Sequence, residues 1–409
     1  MEPFATGLWL TRERFRVGAI AALAASLGLI GYALSFRTGP LGTLDPWGNP
    51  LGTDFTLLWS AGRMALEGRA AEVYDWALHA RAQKAAHGTE AVPFFGWHYP
   101  PLFLLVAAAL APMSYIVSLV VWQLTTLAAA ALVICRILPG RDTLLAALAC
   151  PAVFVCLAHG HNAFLTAALF GGGLLILERR PFVAGLLLGC LAYKPQFAAI
   201  LPLALAAGGY WRTILGAAVA VVALCLATLG LFGAEVWAAF LGSAGLTRTI
   251  VLEAGGTGWY KIQSAFSWVR MLGGSVPLAY AVQGCVTAAV VAVTSWLWLV
   301  RAPFSLRAAC LLVGSLLATP YLLDYDLVLL GPAIAFLVAY GREHGFRRWE
   351  VSALALAWFV PIATRALNFF GHIPGGLLAM AILFILAAGR ALREAPGPAG
   401  LGRLAASGR

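Results

Sequence analysis

The chain has 409 residues, of which 61% are hydrophobic and 11% are charged, and its mean hydropathy is +0.86. This composition excludes an ordinary soluble globular protein and indicates a polytopic membrane protein. A net charge of +10 would suggest nucleic-acid binding in a soluble chain. Here much of the excess lies in short loops and tails beside apolar runs, so we expect membrane lipids and no nucleic acid as partners.

The first predicted element is a membrane span over residues 17–36, an uncharged run of 20 residues. This length matches the ~20 residues with which a helix crosses a hydrocarbon core. Arg12, Arg14 and Arg16 precede the run, which predicts a cytoplasmic N-terminus. No small-residue cleavage site is evident, which argues against a removed signal peptide.

A first outer loop, residues 37–98, follows with six of the seventeen acids and also Trp47, Trp59, Trp76 and Trp97. This mixture suits amphipathic helices that lie in the interface, with tryptophans at the headgroup level. Apolar residues at helical spacing predict one such helix, namely Phe55, Leu58, Trp59, Gly62 and Leu66. Asp54 opens this helix, and its carboxylate is either an N-cap or a functional acid at the water side of the membrane.

Two later stretches depart from simple spans. The stretch 99–113 is too short beyond its prolines to cross, so we expect it to re-enter. The run 182–209 carries Lys194-Pro195-Gln196 at its centre, which predicts two half-helices that meet at a polar point. The other spans, for about 12 in an all-α fold, are placed near 114–135, 143–158, 162–177, 213–232, 276–299, 308–320, 325–340, 350–366 and 375–392.

This layout puts every basic loop and the tail 393–409 on the cytoplasmic side. The opposite face receives the loop 37–98, a second large outer loop at 233–275, and the remaining polar motifs. We expect the glycine-rich 255–258 segment to make the second loop mobile. A competing layout, in which 99–113 crosses and 182–209 crosses once, places several arginines outside.

The polar residues of the outer face have structural and functional interpretations. Lys194 either contacts a phosphate or pairs with Asp324 or Asp326, because a lone cation is costly in lipid. Asp324 and Asp326 are two residues apart, so we expect them to point in different directions and to form no carboxylate dyad. His161 and Asn162 either cap the next span or bind a ligand. The seven cysteines lack metal-site spacing and are interpreted as packing residues.

Several short motifs follow one another along the chain: Thr53-Asp54-Phe55, Tyr74-Asp75, Tyr99-Pro100-Pro101, His159-Gly160-His161-Asn162, Tyr193-Lys194-Pro195-Gln196, Gly258-Trp259-Tyr260-Lys261-Ile262-Gln263-Ser264 and Thr319-Pro320-Tyr321-Leu322-Leu323-Asp324-Tyr325-Asp326. Their order resembles family 87 of the glycosyltransferases. These are bacterial integral-membrane enzymes of the GT-C class, typified by polyprenyl-phosphate-mannose-dependent alpha-mannosyltransferases. The similarity extends from about residue 17 to residue 392.

The resemblance implies a multi-pass protein of the bacterial inner membrane with a single GT-C domain. Its active site would face the periplasm or exterior. It implies an acceptor-activating aspartate, matched by Asp54, and a polyprenyl phosphate sugar donor with a lipid or glycan acceptor. Basic and polar residues would hold the donor; the candidates are Lys194, Gln196, His161, Asn162, Tyr260, Lys261, Asp324 and Asp326. A metal or other cofactor is not required, although His159 and His161 with an aspartate are conceivable metal ligands.

The expected reaction needs few catalytic groups. A phosphate leaves without protonation by the protein, so one carboxylate base and one or two cations suffice. A single base opposite the phosphate predicts inversion at the anomeric carbon. Alternatives of other classes are a secondary transporter, for which broken helices and intramembrane charges are typical, and a membrane protein without enzymatic activity.

Overall fold

The fold is known from a computed structural model, which describes residues 1–395. The predicted tail 393–409 lies outside the described residues from position 396 onward. Over residues 1–395 the chain is helical and contains no β-strand, only three isolated bridges. The predicted all-α polytopic membrane fold is confirmed.

Twenty-one α-helices follow one another in residues 1–395. The first half contains α1 (Glu2–Thr6), α2 (Arg12–Ser35), α3 (Thr53–Leu66), α4 (Trp76–His87), α5 (Leu104–Leu110), α6 (Tyr115–Ile137), α7 (Thr143–Leu148), α8 (Pro151–His159), α9 (Ala163–Ile176), α10 (Pro181–Gly189), α11 (Pro195–Ala198) and α12 (Leu201–Ala207). The second half contains α13 (Trp211–Phe232), α14 (Glu235–Thr247), α15 (Ala265–Met271), α16 (Val276–Leu299), α17 (Phe304–Leu317), α18 (Leu330–His344), α19 (Glu350–Phe359), α20 (Thr364–Gly371) and α21 (Gly375–Glu394).

Shorter helical turns complete the chain. Six are 3₁₀ turns, at Ala70–Tyr74, Pro101–Phe103, Cys190–Tyr193, Trp259–Lys261, Asp324–Leu329 and Val360–Ile362, and one π-helical turn covers Arg248–Glu253.

Six helices of the described part are long and apolar enough to cross a membrane: α2, α6, α13, α16, α21 and the continuous helix Asp324–His344. The pair Glu350–Ile362 and Thr364–Gly371 is bent by 73°, and five apolar helices are shorter. The predicted span over 143–158 is not one continuous helix, because α7 ends at Leu148 and α8 follows. Pro151 begins a new helix there, because proline has no N–H with which to continue the preceding one.

The run 182–209 breaks at Lys194, as predicted. A 3₁₀ turn precedes Lys194 and Pro195 starts the next helix. The middle of the run is held at Asp326, to which Lys194 donates a hydrogen bond. The residues that flank the two ends of the run lie next to each other: Tyr210 Oη is 3.5 Å from Glu178 Oε1, and Arg307 donates to both. The run therefore goes from one end of the bundle to the other and returns.

The stretch 99–113 behaves as a re-entrant segment. Its start contacts His161 through the Tyr99 hydroxyl, at 3.2 Å. Just beyond its end, the Tyr115 hydroxyl donates to the carbonyl of Leu51 at 2.7 Å. Both ends thus lie near Asp54, and the segment between them packs against α3.

Charged side chains divide between two ends of the bundle. At the first, called the basic end, Arg12 and Arg16 bind Asp142, Arg390 binds Glu350, and Arg347 binds Glu394. The opposite end, called the site end, brings together the polar motifs of the predicted outer face. This segregation is the one that the positive-inside rule suggested.

The two outer loops differ from their predicted character. Helix α3 is buried on most of its surface, and Leu66, predicted on its apolar face, is exposed. Trp97 is a core residue rather than a headgroup anchor. The loop 233–275 contains α14, a π-helical turn and α15, so most of it is regular structure.

Candidate active site

A cavity of about 440 Å³ lies at the site end. Its size falls within the ~300–1,000 Å³ typical of small-ligand pockets. The wall combines the start of α3, the segment before the re-entrant stretch, the hairpin between α8 and α9, the break at Lys194, the segment from α14 to Thr257, and the segment before α18. Its polar and aromatic lining includes Asp54, Trp76, His98, Tyr99, His161, Tyr193, Lys194, Gln196, Arg248, Tyr321, Tyr325 and Asp326.

Asp54 is the second residue of α3 and faces this cavity. The N-cap position belongs to Gly52, whose φ of 66° suits glycine, and no side chain caps the helix. The N-cap interpretation of Asp54 is therefore wrong. Within residues 1–395 its carboxylate has no ion-pair partner.

Burial raises the pKa of the Asp54 carboxyl above its ordinary value. The neighbouring His159 offsets part of this effect, as does the hydroxyl of Tyr325. The negative charge of Asp324 raises the pKa of Asp54 further, and the positive charge of Lys261 lowers it. The environment thus holds Asp54 as a stronger base than a carboxylate in water.

Gly160 brings the hairpin between α8 and α9 against the start of α3. It has a φ of 63°, and a Cβ atom there would lie 2.6 Å from the Cβ of Phe55 and 3.1 Å from the Cα of Gly52. Only glycine permits this approach without strain. The close contact places the two hairpin histidines beside Asp54.

His161 is 4% exposed and lines the cavity. Its ring stacks on Tyr325 with 3.6 Å between centroids, and burial keeps its pKa well below the ordinary value, so the imidazole is neutral. His161 Nδ1 and Asn162 Oδ1 are both buried without a hydrogen-bond partner among the described residues. Asn162 occupies the N-cap position of α9 but its side chain does not cap that helix. Both side chains thus retain hydrogen-bonding capacity.

Lys194 and Asp326 form a buried ion pair on the cavity wall. Lys194 Nζ donates to Asp326 Oδ1 at 2.7 Å, and the two side chains are only 3% and 4% exposed. The predicted need of Lys194 for a counter-ion is confirmed, and Asp326 is the partner. Gln196, two residues further on, also lines the cavity.

Asp324 points away from Asp326, as expected, and binds Arg365 instead. Arg365 donates from Nε to Asp324 Oδ2 at 2.7 Å and from Nη2 to Oδ1 at 3.0 Å. Arg365 Nη2 also lies 3.3 Å from His159 Nε2. Asp324 lies behind the lining residues rather than among them.

Arg365 was missed at the sequence level, although a readable signal was present. It lies in the apolar run 350–366, where an arginine is costly unless it has a partner. Arg248, at the cavity rim, was missed because it lies on the π-helical turn of a loop predicted to be mobile. Tyr99 and Tyr325 also line the cavity, and in the sequence only their places in the short motifs point to them.

Tyr260 and Lys261 lie beside the cavity rather than on its wall. The Tyr260 ring packs edge-on against Phe369, and its carbonyl accepts a hydrogen bond from Asn368. Lys261 Nζ lies 5.7 Å from the centre of the Tyr260 ring. The adjacent Trp259 covers Arg270, so its position is explained by local packing.

Metal-ligating side chains are dispersed over the described part of the chain. Residues 1–395 contain no group of three or more His, Cys, Asp or Glu side chains close enough to hold a metal ion. All seven cysteines are free, and Cys156 and Cys310 are buried.

A comparison with family models matches residues 97–320 to glycosyltransferase family 87. The match covers more than half of the 409 residues. Comparisons with curated proteins and with solved structures gave no match. The chain belongs to glycosyltransferase family 87 and is a membrane glycosyltransferase. Asp54 and Asp324 to Asp326 lie outside the matched residues but contribute to the same site as the matched motifs.

Proposed function

We propose that this glycosyltransferase transfers a hexose, specifically mannose, from a polyprenyl phosphate carrier to a hydroxyl of a lipid or glycan acceptor, with Asp54 as general base. The observation that carries the proposal is a contrast between carboxylates at the site. Asp324 and Asp326 each bind a cation, whereas Asp54 has no ion-pair partner among residues 1–395 and faces the cavity. Asp54 is therefore the carboxylate available to accept a proton.

The proposed chemical step is a single displacement. The acceptor hydroxyl gives its proton to an Asp54 carboxylate oxygen while its oxygen forms a bond to the anomeric carbon. The bond from that carbon to the phosphate oxygen breaks, and the phosphate leaves with the electron pair. The raised pKa of Asp54 supports this role, since general bases work best with a pKa nearer the operating pH.

Cations of the chain would stabilise the departing phosphate. Lys194 lies on the wall but is already paired, so it could contribute only by sharing its ammonium group. Arg248 lies at the rim with a 67% exposed side chain, and its contact to Glu253 is 3.3 Å. Exposed pairs of this kind are worth only ~0–1 kcal/mol, so a phosphate can readily take the place of Glu253.

Inversion follows from the same set of carboxylates. A retaining mechanism requires a second carboxylate as nucleophile. The other two carboxylates of the site are engaged by Lys194 and Arg365. We therefore expect one displacement, which converts a beta-linked donor into an alpha-linked product.

A lipid carrier is supported by the outer surface of the segment next to Arg248. Leu241, Leu246 and Ile250 are exposed there, and Ile250 also borders the cavity. An isoprenoid chain could follow these residues while its phosphate lies at Arg248. The choice of mannose rests on the family resemblance.

The proposed orientation places the basic end in the cytoplasm of a bacterial cell and the site end at the periplasmic or exterior face of the inner membrane. The reaction is proposed to need no cofactor, because Arg248 and Lys194 supply positive charge near the leaving group. Transfer that persists in the presence of EDTA would agree with this part of the proposal, and its loss with rescue by a divalent metal would contradict it.

The decisive variant is Asp54→Asn, with Asp75→Asn as its matched control. Asp75 lies in the same outer loop and caps α4, a role that asparagine performs equally well. Membranes with each variant are supplied with labelled polyprenyl-phosphate-mannose, and labelled lipid and glycan products are counted. We expect Asp54→Asn to lose about 10²–10⁴-fold in rate, the usual contribution of a general base, while the control keeps wild-type transfer.

Two outcomes of this assay would contradict the proposal. Transfer by Asp54→Asn within a fewfold of wild type would remove Asp54 as the base. A folded, inserted wild-type chain that transfers no mannose, but transfers another sugar, would refute the proposed donor and leave the role of Asp54 to be tested with that sugar.

A further inference from the structure

A second cavity, of about 790 Å³, lies at the basic end. Its walls come from the junction of α1 and α2, the turn between α6 and α7, and helices α18 and α19. None of its lining residues borders the site cavity. It is therefore a separate feature, which the proposed transfer reaction does not use.

The lining of this cavity is polar at one side and apolar over the rest. Thr6, Thr11, Arg12, Asp142 and Arg342 form the polar part. The apolar part consists of leucine, isoleucine, valine and aromatic side chains, among them Phe15, Ile334, Leu354, Trp358 and Phe359. A ligand that satisfies both parts must itself be amphipathic.

Positive charge exceeds negative charge at the polar side. Arg12 and Arg16 both bind Asp142, each at 2.6 Å. Arg342 approaches the same turn from α18, with only a 3.4 Å contact to the carbonyl of Pro139, and has no ion-pair partner within residues 1–395. One carboxylate thus serves two arginines while Arg342 adds a third positive charge, and the mouth retains capacity for an anion.

Helix α2 places this mouth at the level of the lipid headgroups. It begins at Arg12 and continues for 24 residues as one of the candidate spans. Ala19 is its only fully buried residue, so nearly the whole helix faces outward rather than into the bundle. The apolar part of the cavity can therefore be reached from the hydrocarbon region beside α2.

We infer that this cavity binds one anionic phospholipid, with its phosphate between Arg12 and Arg342 and an acyl chain along Trp358 and Phe359. Basic residues directly next to a membrane span attract anionic headgroups by ~1 kcal/mol each. The excess of arginine favours phosphatidylglycerol over a zwitterionic lipid. The inference does not depend on the proposed sugar transfer.

Native mass spectrometry of the purified full-length protein tests this assignment, with phosphatidylglycerol and phosphatidylcholine of identical chains as probes. We compare wild type with Arg12→Gln/Arg342→Gln and with the control Arg180→Gln/Arg212→Gln. The control removes the same charge from exposed positions outside the cavity. We expect one retained phosphatidylglycerol per wild-type chain, about 25-fold weaker binding in the cavity variant, from about fivefold per arginine, and no change in the control.

A second readout locates the lipid. Brominated phosphatidylglycerol quenches nearby tryptophans, so Trp358→Phe should remove the saturable part of the quenching while the protein elutes unchanged in size-exclusion chromatography. Equal binding of both lipids to wild type would overturn the inference. So would an equal loss in the control variant, quenching that survives Trp358→Phe, or displacement of the lipid by polyprenyl phosphate at lower concentration.

Discussion

The buried pair of Lys194 and Asp326 should show a strong energetic coupling in the stability of the fold, in addition to its role in the site. Its two charged atoms are 2.7 Å apart and almost inaccessible to water. Removal of one partner leaves an uncompensated buried charge, which typically costs ~3–5 kcal/mol. We therefore expect Lys194→Met and Asp326→Asn each to destabilise the fold by about this amount.

The double variant is the informative one. Asp326 Oδ2 also accepts a hydrogen bond from the backbone N–H of Leu323 at 3.3 Å, and asparagine preserves an acceptor for it. Lys194→Met with Asp326→Asn removes both charges without losing that contact. We expect the double variant to recover to within ~1–2 kcal/mol of wild type, because a neutral replacement of a buried pair is often nearly neutral.

Reversible unfolding in mixed detergent and SDS micelles, followed by tryptophan fluorescence, measures each free energy. The four proteins form a double-mutant cycle, and a coupling energy of ~2 kcal/mol or more is expected. The double variant should remain deficient in transfer, since Lys194 and Asp326 line the cavity. Additive effects of the two single variants would refute the assigned coupling, and full transfer by the double variant would refute the role of the pair in the site.

Three further predictions concern the surroundings of Asp54. Gly160→Ala should reduce transfer about tenfold and lower the unfolding temperature, because position 160 has a positive φ and the added methyl group would collide with Phe55. Gly242→Ala, at a helical position with open space, is the control. Arg365→Lys should reduce kcat although charge is kept, because lysine cannot reproduce the two hydrogen bonds to Asp324 or the approach to His159. Unchanged kcat would show that these contacts do not position the site. His87, at the end of α4, contacts the hydroxyls of Thr43 and of Thr56 in α3 through its two ring nitrogens. Burial lowers its pKa to about 4, below the ordinary ~6.5, so protonation favours the unfolded chain and the free energy of unfolding should fall by up to about 1.4 kcal/mol per pH unit between pH ~6.5 and pH 4. Unfolding at several pH values tests this, and a His87→Gln variant should lose that part of the slope.

Apolar runs and prolines predicted most of the membrane-embedded architecture. The break at Lys194 was readable because proline and a buried cation coincide there. Pro151 gave a similar signal, but it was overlooked because residues 143–158 are continuously apolar and contain no buried cation. The sequence therefore predicted a helix break where a proline coincided with a change from apolar to polar residues.

Apolar runs and prolines could not predict which side chains pair with each other across the fold. Sequence required a counter-ion for Lys194 but did not distinguish Asp324 from Asp326, because their different directions depend on the 3₁₀ turn that carries them. Arg365 meets Asp324 only when α20 packs against the site end. The regular structure of 235–253 was not predicted because the glycine-rich 255–258 segment led to the expectation of a mobile loop, and with it the rim position of Arg248 was missed.

The pairing of Lys194 with Asp326 has a consequence for the order of events during biosynthesis. The two residues are 132 positions apart in the chain. At a translation rate of ~5–20 residues per second, Lys194 is added to the chain roughly 7–26 s before its counter-ion is made. During that interval the ammonium group must remain in contact with water or the translocation machinery, so we expect the two half-helices to settle in the bilayer only after the Asp326 segment has been synthesised.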